Sequence, residues 1–168
     1  MTRVEKSVLV PYSAISMWRL VDGIPHYPEF LPWCSGAEVK EVRGEARGQT
    51  PNWGLTPTET PTVPTVPTVA TLHINYHGLR QQFTTSNTAV PGEWVLMQLV
   101  EGPFKHLRGE FRFSALDEQA CKIVFSLEWT FNSRLLEKVV GPVFHHIANT
   151  MVEAFVTRAA VVYGSKTP

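Results

Sequence analysis

Residues 120–131, ACKIVFSLEWTF, and residues 141–160, GPVFHHIANTMVEAFVTRAA, decide the fold of this chain. In the first stretch every second residue is apolar, a period that is typical of a strand with one buried face. Its apolar positions are Cys121, Ile123, Phe125, Leu127, Trp129 and Phe131. In the second stretch the apolar residues form adjacent pairs four residues apart, which predicts a long amphipathic helix. A sheet followed by a terminal helix is therefore the framework for the rest of the chain.

The spacing of the apolar pairs also indicates how the helix is held. Pairs four residues apart drift by ~40° per turn against the 3.6-residue period, so the apolar stripe winds around the helix. A winding stripe suits a helix gripped by a curved sheet better than one lying on a flat sheet. Pro142 is typical of a first helical turn. Residues 135–140 are then either a separate turn or a kinked lead-in to the helix.

The segments before these two stretches predict more strands and two short helical elements. Apolar alternation indicates a strand over residues 4–10, and Ser13 can cap a helix that runs to Val21. Residues 26–33 read as a short helix and turn. Further strands follow from residue 71, separated by turns at Gly78, Pro91-Gly92 and Gly102-Pro103. Such short connections imply an antiparallel meander, and the order of elements predicts an α+β domain.

Length and composition favour a single globular domain over residues 1–168. The chain has 168 residues, 43% of them hydrophobic and 18% charged, which fits one domain with a real core. Residues 46–69 stand apart because Pro and Thr dominate their second half, which ends in near-tandem Thr-Val-Pro units. Proline blocks helix formation and favours extended polyproline II, so this segment is expected to be a mobile inserted loop.

Charge and targeting signals limit the possible partners. Fifteen basic and fifteen acidic residues give a net charge of zero, whereas proteins that bind nucleic acids, DNA and ribosomal RNA included, usually carry a basic excess. The two cysteines, Cys34 and Cys121, are far apart and form no CxxC pair, which excludes a cysteine-rich zinc site or disulfide scaffold. The sequence has no apolar run of membrane-spanning length and no secretion-signal pattern at its start. A cytoplasmic protein is expected.

No set of side chains predicts a catalytic or metal centre. His73 and His77 are expected on one strand face, but ~13 Å apart, which is too far to share a metal ion. His145 and His146 are placed on the polar side of the last helix. The alternating charges of residues 106–112 favour exposed cross-strand pairs, although an acid–base pair facing a cavity would serve an enzyme. The expected protein is therefore not an enzyme and holds no metal.

Apolar bulk is the more informative feature of this sequence. Large side chains are expected where the sheet faces the terminal helix, and a cleft lined by them would accept an apolar ligand. These residues are Phe83, Phe111, Phe125, Trp129, Phe144, Met151 and Phe155. Pattern alone leaves open whether the space between sheet and helix is a packed core or a cavity.

Several strings of this sequence match a known family. They are KSVLVPYS (6–13), YPEFLPWC (27–34), GLRQQFTT (78–85), GPFKHL (102–107) and GPVF (141–144). On these strings the chain resembles the START-like family that includes mitochondrial coenzyme-Q-binding proteins and bacterial ribosome association toxins (RatA). This family is often labelled polyketide cyclase/dehydrase or lipid transport. The resemblance runs from Lys6 to about residue 164 and breaks between about residues 46 and 66.

The resemblance implies a helix-grip fold, in which a curved antiparallel sheet surrounds the terminal helix and a hydrophobic cavity. It implies ubiquinone or a similar isoprenoid lipid as a bound ligand, with no covalent cofactor, and a role in respiratory electron transport. It adds Trp33, Phe104, Leu107 and Ile147 to the expected cavity lining. To collect such a lipid, the protein would contact the inner membrane transiently, and the aromatic segment of residues 27–33 is expected to be exposed for this purpose.

The same resemblance carries two alternatives. One is a toxin that binds the large ribosomal subunit and blocks subunit association, with Arg80, Lys105, Arg108 and Arg112 as a local basic face. The other is a polyketide cyclase or aromatase, which requires an acid–base pair in the cavity. His106 and Glu110 are the candidates for that pair.

Overall fold

A computed structural model describes residues 1–41 and 67–164 of the chain. Its elements, in chain order, are β1 (Thr2–Val10), α1 (Ala14–Asp22), a 3₁₀ helix (Ile24–Glu29), β2 (Cys34–Glu41), β3 (Thr68–Tyr76), β4 (Leu79–Val90), β5 (Trp94–Glu101), β6 (Phe104–Asp117), β7 (Ala120–Phe131) and α2 (Arg134–Tyr163). Most of the expected loop, residues 46–66, lies outside the described residues. Its last two residues, Thr68 and Val69, instead begin β3.

The seven described strands form one antiparallel sheet in the order β1-β7-β6-β5-β4-β3-β2. The period-two pattern holds along β7, where residues 121, 123, 125, 127, 129 and 131 are all buried. In β6 the inward positions are Leu107, Gly109, Phe111 and Phe113. β6 and β7 therefore each present one apolar face to the interior and one polar face to the other side, as the alternation predicts.

The turn between β3 and β4 differs from the expectation in one residue. His77 and Gly78 both have positive φ, at 49° and 80°, which is the geometry of a tight two-residue hairpin. His77 therefore lies in the turn and not on the face of β3, so the prediction that it shares a strand face with His73 is wrong. The local cause is Gly78, which makes the tight turn possible one residue earlier than expected.

The terminal helix α2 is continuous from Arg134 to Tyr163, and the Ser133 hydroxyl caps its first turn by accepting a hydrogen bond from the Leu136 N–H at 3.2 Å. Pro142 lies inside the helix and not in its first turn, which corrects the expected start. A proline there leaves the carbonyl of Lys138 without its helical partner. Since Lys138 is exposed, water can satisfy that carbonyl. None of the described helices is long and apolar enough to cross a membrane.

The aromatic segment after α1 turns most of its large side chains toward the space between sheet and helix. Tyr27, Leu31 and Trp33 are each at most 2% exposed, whereas Pro28, Glu29 and Pro32 are exposed and Phe30 is half-buried. The expectation that the aromatic side chains are exposed is therefore wrong, and contact of this segment with a membrane stays a prediction. Two contacts to α2 fix the segment. Arg158 reaches Glu29 at 2.7 Å and stacks over the Phe30 ring at 5.2 Å. The large rings turn inward because α2 offers them an apolar surface.

Candidate functional site

The inner face of the sheet and α2 enclose a small apolar cavity of about 40 Å³. Seven of the eleven residues expected to line a ligand cavity do line it: Trp33, Phe83, Leu107, Phe125, Phe144, Ile147 and Met151. The other four are buried in the core around it: Phe104, Phe111, Trp129 and Phe155. The volume is enough for about three water molecules, and sites for drug-sized ligands measure ~300–1,000 Å³.

Aromatic packing explains why so little space remains. The Phe144 ring of α2 lies 4.9 Å from the Trp129 ring and 5.0 Å from the Phe104 ring. Phe83 and Phe131 complete the shell, with ring centroids at 5.9 and 6.2 Å. Most of these pairs are edge-to-face or tilted, which is the preferred geometry of aromatic packing. In the described structure these side chains fill most of the interior themselves.

One polar pair interrupts the apolar lining, and the sequence analysis did not find it. Thr85 and Asn87 are 5% and 6% exposed and both line the cavity. The Thr85 hydroxyl donates to the Asn87 Oδ1 at 2.7 Å, while the Asn87 Nδ2 has no hydrogen-bond partner. The available signal was the alternation in β4, which puts these two polar residues on the inward face together with Phe83 and Ala89.

The Tyr27 hydroxyl, another polar group of the lining, already has a hydrogen-bond partner. The Tyr27 hydroxyl donates to the Val21 carbonyl, and burial raises the pKa of this tyrosine far above its ordinary value. Among the described residues that line the cavity, Tyr27 is the only ionisable one. Among the described lining residues, Asn87 therefore carries the fully buried donor without a partner, in an uncharged surrounding.

The outer face of the sheet carries the charged residues that the sequence analysis singled out. His106 contacts Glu128 at 2.8 Å, and Glu110 contacts Arg112 at 3.0 Å and Arg108 at 3.9 Å. These residues alternate with the inward positions of β6, so they point away from the cavity. The prediction of exposed cross-strand pairs holds for His106 and Glu128, whereas Glu110 pairs with arginines of its own strand. The alternative of a cavity-facing acid–base pair at His106 and Glu110 is wrong.

The outer face carries three arginines (Arg3, Arg108 and Arg112) and three glutamates (Glu5, Glu110 and Glu128), with Arg3 paired to Glu5 at 3.0 Å. Arg3 of β1 and Arg108 of β6 flank Glu128 in the strand register. Together with the His106 contact, they lower the pKa of the Glu128 carboxyl. One carboxylate, Glu110, is shared between two guanidinium groups, which leaves a local positive charge. We call Arg3, His106, Arg108 and Arg112 the basic face. Arg80, which was expected to belong to it, lies instead in a polar groove beside β2 and β3.

The remaining histidines form no metal site. His146 stacks on Tyr76, with ring centroids 5.5 Å apart, and His73 contacts Glu38 at 2.8 Å. Within the described ranges no group of three metal-ligating side chains comes together. Tyr76 and His146 belong to an open groove of about 450 Å³ beside α2, and Trp33 lines both this groove and the cavity.

A curved antiparallel sheet around a long terminal helix defines the START-like, helix-grip class of proteins. The model of the family described as "Polyketide cyclase / dehydrase and lipid transport" matches residues 10–156, and the chain belongs to this family. Among solved structures, the Zhui aromatase/cyclase from Streptomyces superposes with a TM-score of 0.68 at 18% identity, covering 98% of this chain and 99% of the other. A START superfamily protein from Mycobacterium smegmatis gives 0.64 at 18%, covering 93% and 95%.

Curated relatives are more similar in sequence. Ribosome association toxin RatA of Vibrio cholerae is 40% identical, covering 98% of this chain and 99% of the relative. RatA of Escherichia coli K12 is 36% identical, covering 99% and 92%. The mitochondrial coenzyme Q-binding protein COQ10 homolog B of Xenopus laevis is 22% identical, covering 95% of this chain and 58% of the relative.

Proposed function

We propose that this protein associates with the large ribosomal subunit and blocks its joining to the small subunit. The observation that carries the proposal is the 40% identity to ribosome association toxin RatA over essentially the full length of both chains. The relative named for coenzyme Q binding is more distant, at 22%. The order of preference from the sequence analysis, quinone first and ribosome second, is therefore reversed.

The interior of the protein supports the same order. The cavity of about 40 Å³ is small because aromatic side chains occupy the space between sheet and helix. A quinone ring with an isoprenoid tail needs a far larger volume, so its binding would require side chains to move. A ribosome-binding function needs no such movement, because the side chains that would make the contact already lie on the surface.

The basic face is the surface that we propose for this contact. Ribosomal RNA presents a dense array of phosphates, and Arg guanidinium groups bind phosphate oxygens with two parallel hydrogen bonds. The side chains of Arg108 and Arg112 are 39% and 60% exposed. They lie four residues apart on one strand, so their Cα atoms are ~13 Å apart. Phosphate contacts of this kind weaken as salt rises.

Co-sedimentation with purified large subunits tests the proposal. The wild-type protein is expected to sediment with the subunits at low salt and to be released as salt increases. The double variant Arg108→Glu/Arg112→Glu is expected to lose most of the binding. The matched control is Arg134→Glu/Lys138→Glu, which makes the same charge change on exposed residues of α2. Binding that is equal in the two double variants would contradict the basic face as the contact.

A second function, binding of ubiquinone in the cavity, has one observation in its favour. The lining is apolar and carries no charge, as an isoprenoid quinone would require. Mass spectrometry of an organic extract of the purified protein tests it. Stoichiometric ubiquinone that is lost in Met151→Asp would support this function, and an empty protein that takes up no added quinone would contradict it. Transient contact with a membrane belongs to this second function only.

A further inference from the structure

We propose that Asn87 is the hydrogen-bond donor of a binding site for a small neutral ligand that carries a carbonyl oxygen. The site is the cavity between the sheet and α2, and the ligand oxygen accepts from the Asn87 Nδ2. This inference adds the recognition chemistry to the ligand-binding proposal above, on which it rests. It is independent of ribosome association, since the basic face lies on the opposite side of the sheet.

The unpaired amide of Asn87 carries a cost in stability. A buried donor without a partner destabilises a protein, and nearly all buried polar groups have partners. Asn87 is 6% exposed, and its Nδ2 is the one buried side-chain nitrogen or oxygen in the described residues without a hydrogen bond. An apolar residue at this position would avoid that cost. A ligand oxygen that completes the hydrogen bond is the simplest role for the amide.

The orientation of the Asn87 amide decides which of its two groups can bind a ligand. The Thr85 hydroxyl donates to the Asn87 Oδ1 at 2.7 Å, so the oxygen of the amide is held and the NH₂ group is left for the cavity. A free NH₂ group donates and cannot accept. The ligand group opposite it must therefore be an acceptor, and a carbonyl oxygen fits an apolar surrounding better than a charged oxygen does.

The rest of the described cavity lining is mostly apolar and aromatic. The Tyr27 hydroxyl is used on the Val21 carbonyl, and none of the described lining residues is charged at neutral pH. Aromatic rings of Phe83, Phe125 and Phe144 form much of the wall. Such a wall accepts a flat, uncharged molecule and excludes an ion.

Two methionines explain how a ligand larger than the resting volume could enter. Met97 and Met151 both line the cavity, and methionine side chains adapt their shape because they have three rotatable bonds. Trp33 separates the cavity from the outer groove beside α2 and lines both. A ligand would therefore reach the Asn87 amide past Trp33 while the two thioether groups move aside.

The test uses methyl NMR of the four methionines and a pair of probes with the same shape. Acetophenone carries a carbonyl oxygen, and α-methylstyrene carries a CH₂ group in its place. Acetophenone is expected to shift the methyl signals of Met97 and Met151, which line the cavity. Met1, which is exposed, and Met17, which is buried in α1 outside the cavity, are internal controls that should not shift.

The affinity ratio identifies the role of the amide. Wild-type protein is expected to bind acetophenone about fivefold more tightly than α-methylstyrene, the effect of one neutral hydrogen bond. Asn87→Leu and Thr85→Val/Asn87→Leu should lose this preference and bind α-methylstyrene more tightly, because the acetophenone oxygen would then be buried without a donor. Equal binding of both probes by the wild type would overturn the proposal, and so would the absence of any shift at Met97 and Met151 with every probe.

A third probe, a ubiquinone with a decyl tail, distinguishes the sources of the carbonyl. If it shifts the same methionines and loses affinity in Asn87→Leu, the site is supported and takes quinones. If only acetophenone does so, the site is supported for smaller carbonyl compounds and the ubiquinone proposal fails by itself. A cavity that holds only water would give no methionine shift with any probe, which overturns the proposal.

Discussion

The two faces of the seven-stranded sheet differ in how their side chains interact: apolar packing dominates the inner face and ion pairs occur on the outer face. The inner face buries rings against α2, and among the described residues the Asn87 Nδ2 is the one buried side-chain nitrogen or oxygen without a hydrogen bond. The outer face pairs carboxylates with arginine and histidine side chains that remain in contact with water, as in the Glu110–Arg112 pair at 3.0 Å. The comparison teaches that stability is concentrated on one face, and that the other face is free to bind a partner.

The largest loss of stability is expected when an aromatic ring is removed from the packed inner face. Phe144→Ala removes a ring that contacts four other aromatic rings, and it should lower the free energy of unfolding by about 3–5 kcal/mol. Leu135→Ala, on the same helix but 71% exposed, should change it by less than about 0.5 kcal/mol. Urea denaturation measures both variants. Similar losses in the two would show that the interior is not the stabilising face.

Replacing a glycine that contacts the packed inner face should destabilise the protein more than replacing one that does not. At Gly102, which has a φ of 152°, an added Cβ would lie 2.7 Å from the Cβ of Phe83. Gly102→Ala should therefore cost about 3 kcal/mol from backbone strain and overpacking. Gly78 also has a positive φ, but an added Cβ meets nothing within 4 Å. Gly78→Ala should cost about 1 kcal/mol by thermal denaturation, and equal costs would contradict the role of the contact.

The Thr85–Asn87 pair allows the cost of a buried polar group on the inner face to be measured. Thr85→Val removes the partner of the Asn87 Oδ1 and should destabilise the protein by about 1–3 kcal/mol. Thr85→Val/Asn87→Leu removes both groups and should be at least as stable as the wild type, because no buried polar atom is left unpaired. Chemical denaturation of the single and double variants decides this. A double variant that is less stable than Thr85→Val would contradict the proposed cost of the pair.

The smallest effect concerns the outer face and its dependence on pH. The pKa of Glu128 is lowered in the folded protein, first by the hydrogen bond with His106 and then by nearby cations. The resulting stabilisation is present above the ordinary pKa of glutamate and is lost as the pH falls through the lowered value. Glu128→Gln should therefore flatten the loss of stability in acid, by no more than about 1 kcal/mol for so exposed a pair. Glu118→Gln, on an exposed carboxyl, should leave the profile unchanged.

Periodic features of the sequence predicted most of the fold. The alternation of β6 and β7 and the winding stripe of α2 depend on local backbone geometry, which a sequence shows directly. The start of α2 was less predictable, since Pro142 is tolerated inside the helix only because the preceding turns are exposed. The burial of Tyr27, Leu31 and Trp33 depended on the distant α2, through the Arg158–Glu29 contact at 2.7 Å.

The candidate site was harder to predict than the fold. Alternation identified which side chains face α2, but the size of the cavity depends on how rings from four elements fit together, and no local pattern contains that information. The Thr85–Asn87 pair was visible as two polar residues at inward positions of β4. That the Asn87 amide has only one partner depended on the three-dimensional surroundings.

The most direct test of the account is an assay of subunit joining with purified large and small ribosomal subunits. We expect wild-type protein to reduce the fraction of joined ribosomes in a density gradient, and Arg134→Glu/Lys138→Glu to do the same. Arg108→Glu/Arg112→Glu should leave joining intact, because it reverses the charge of two of the four residues of the basic face. Joining that is unaffected by an excess of wild-type protein would contradict the account.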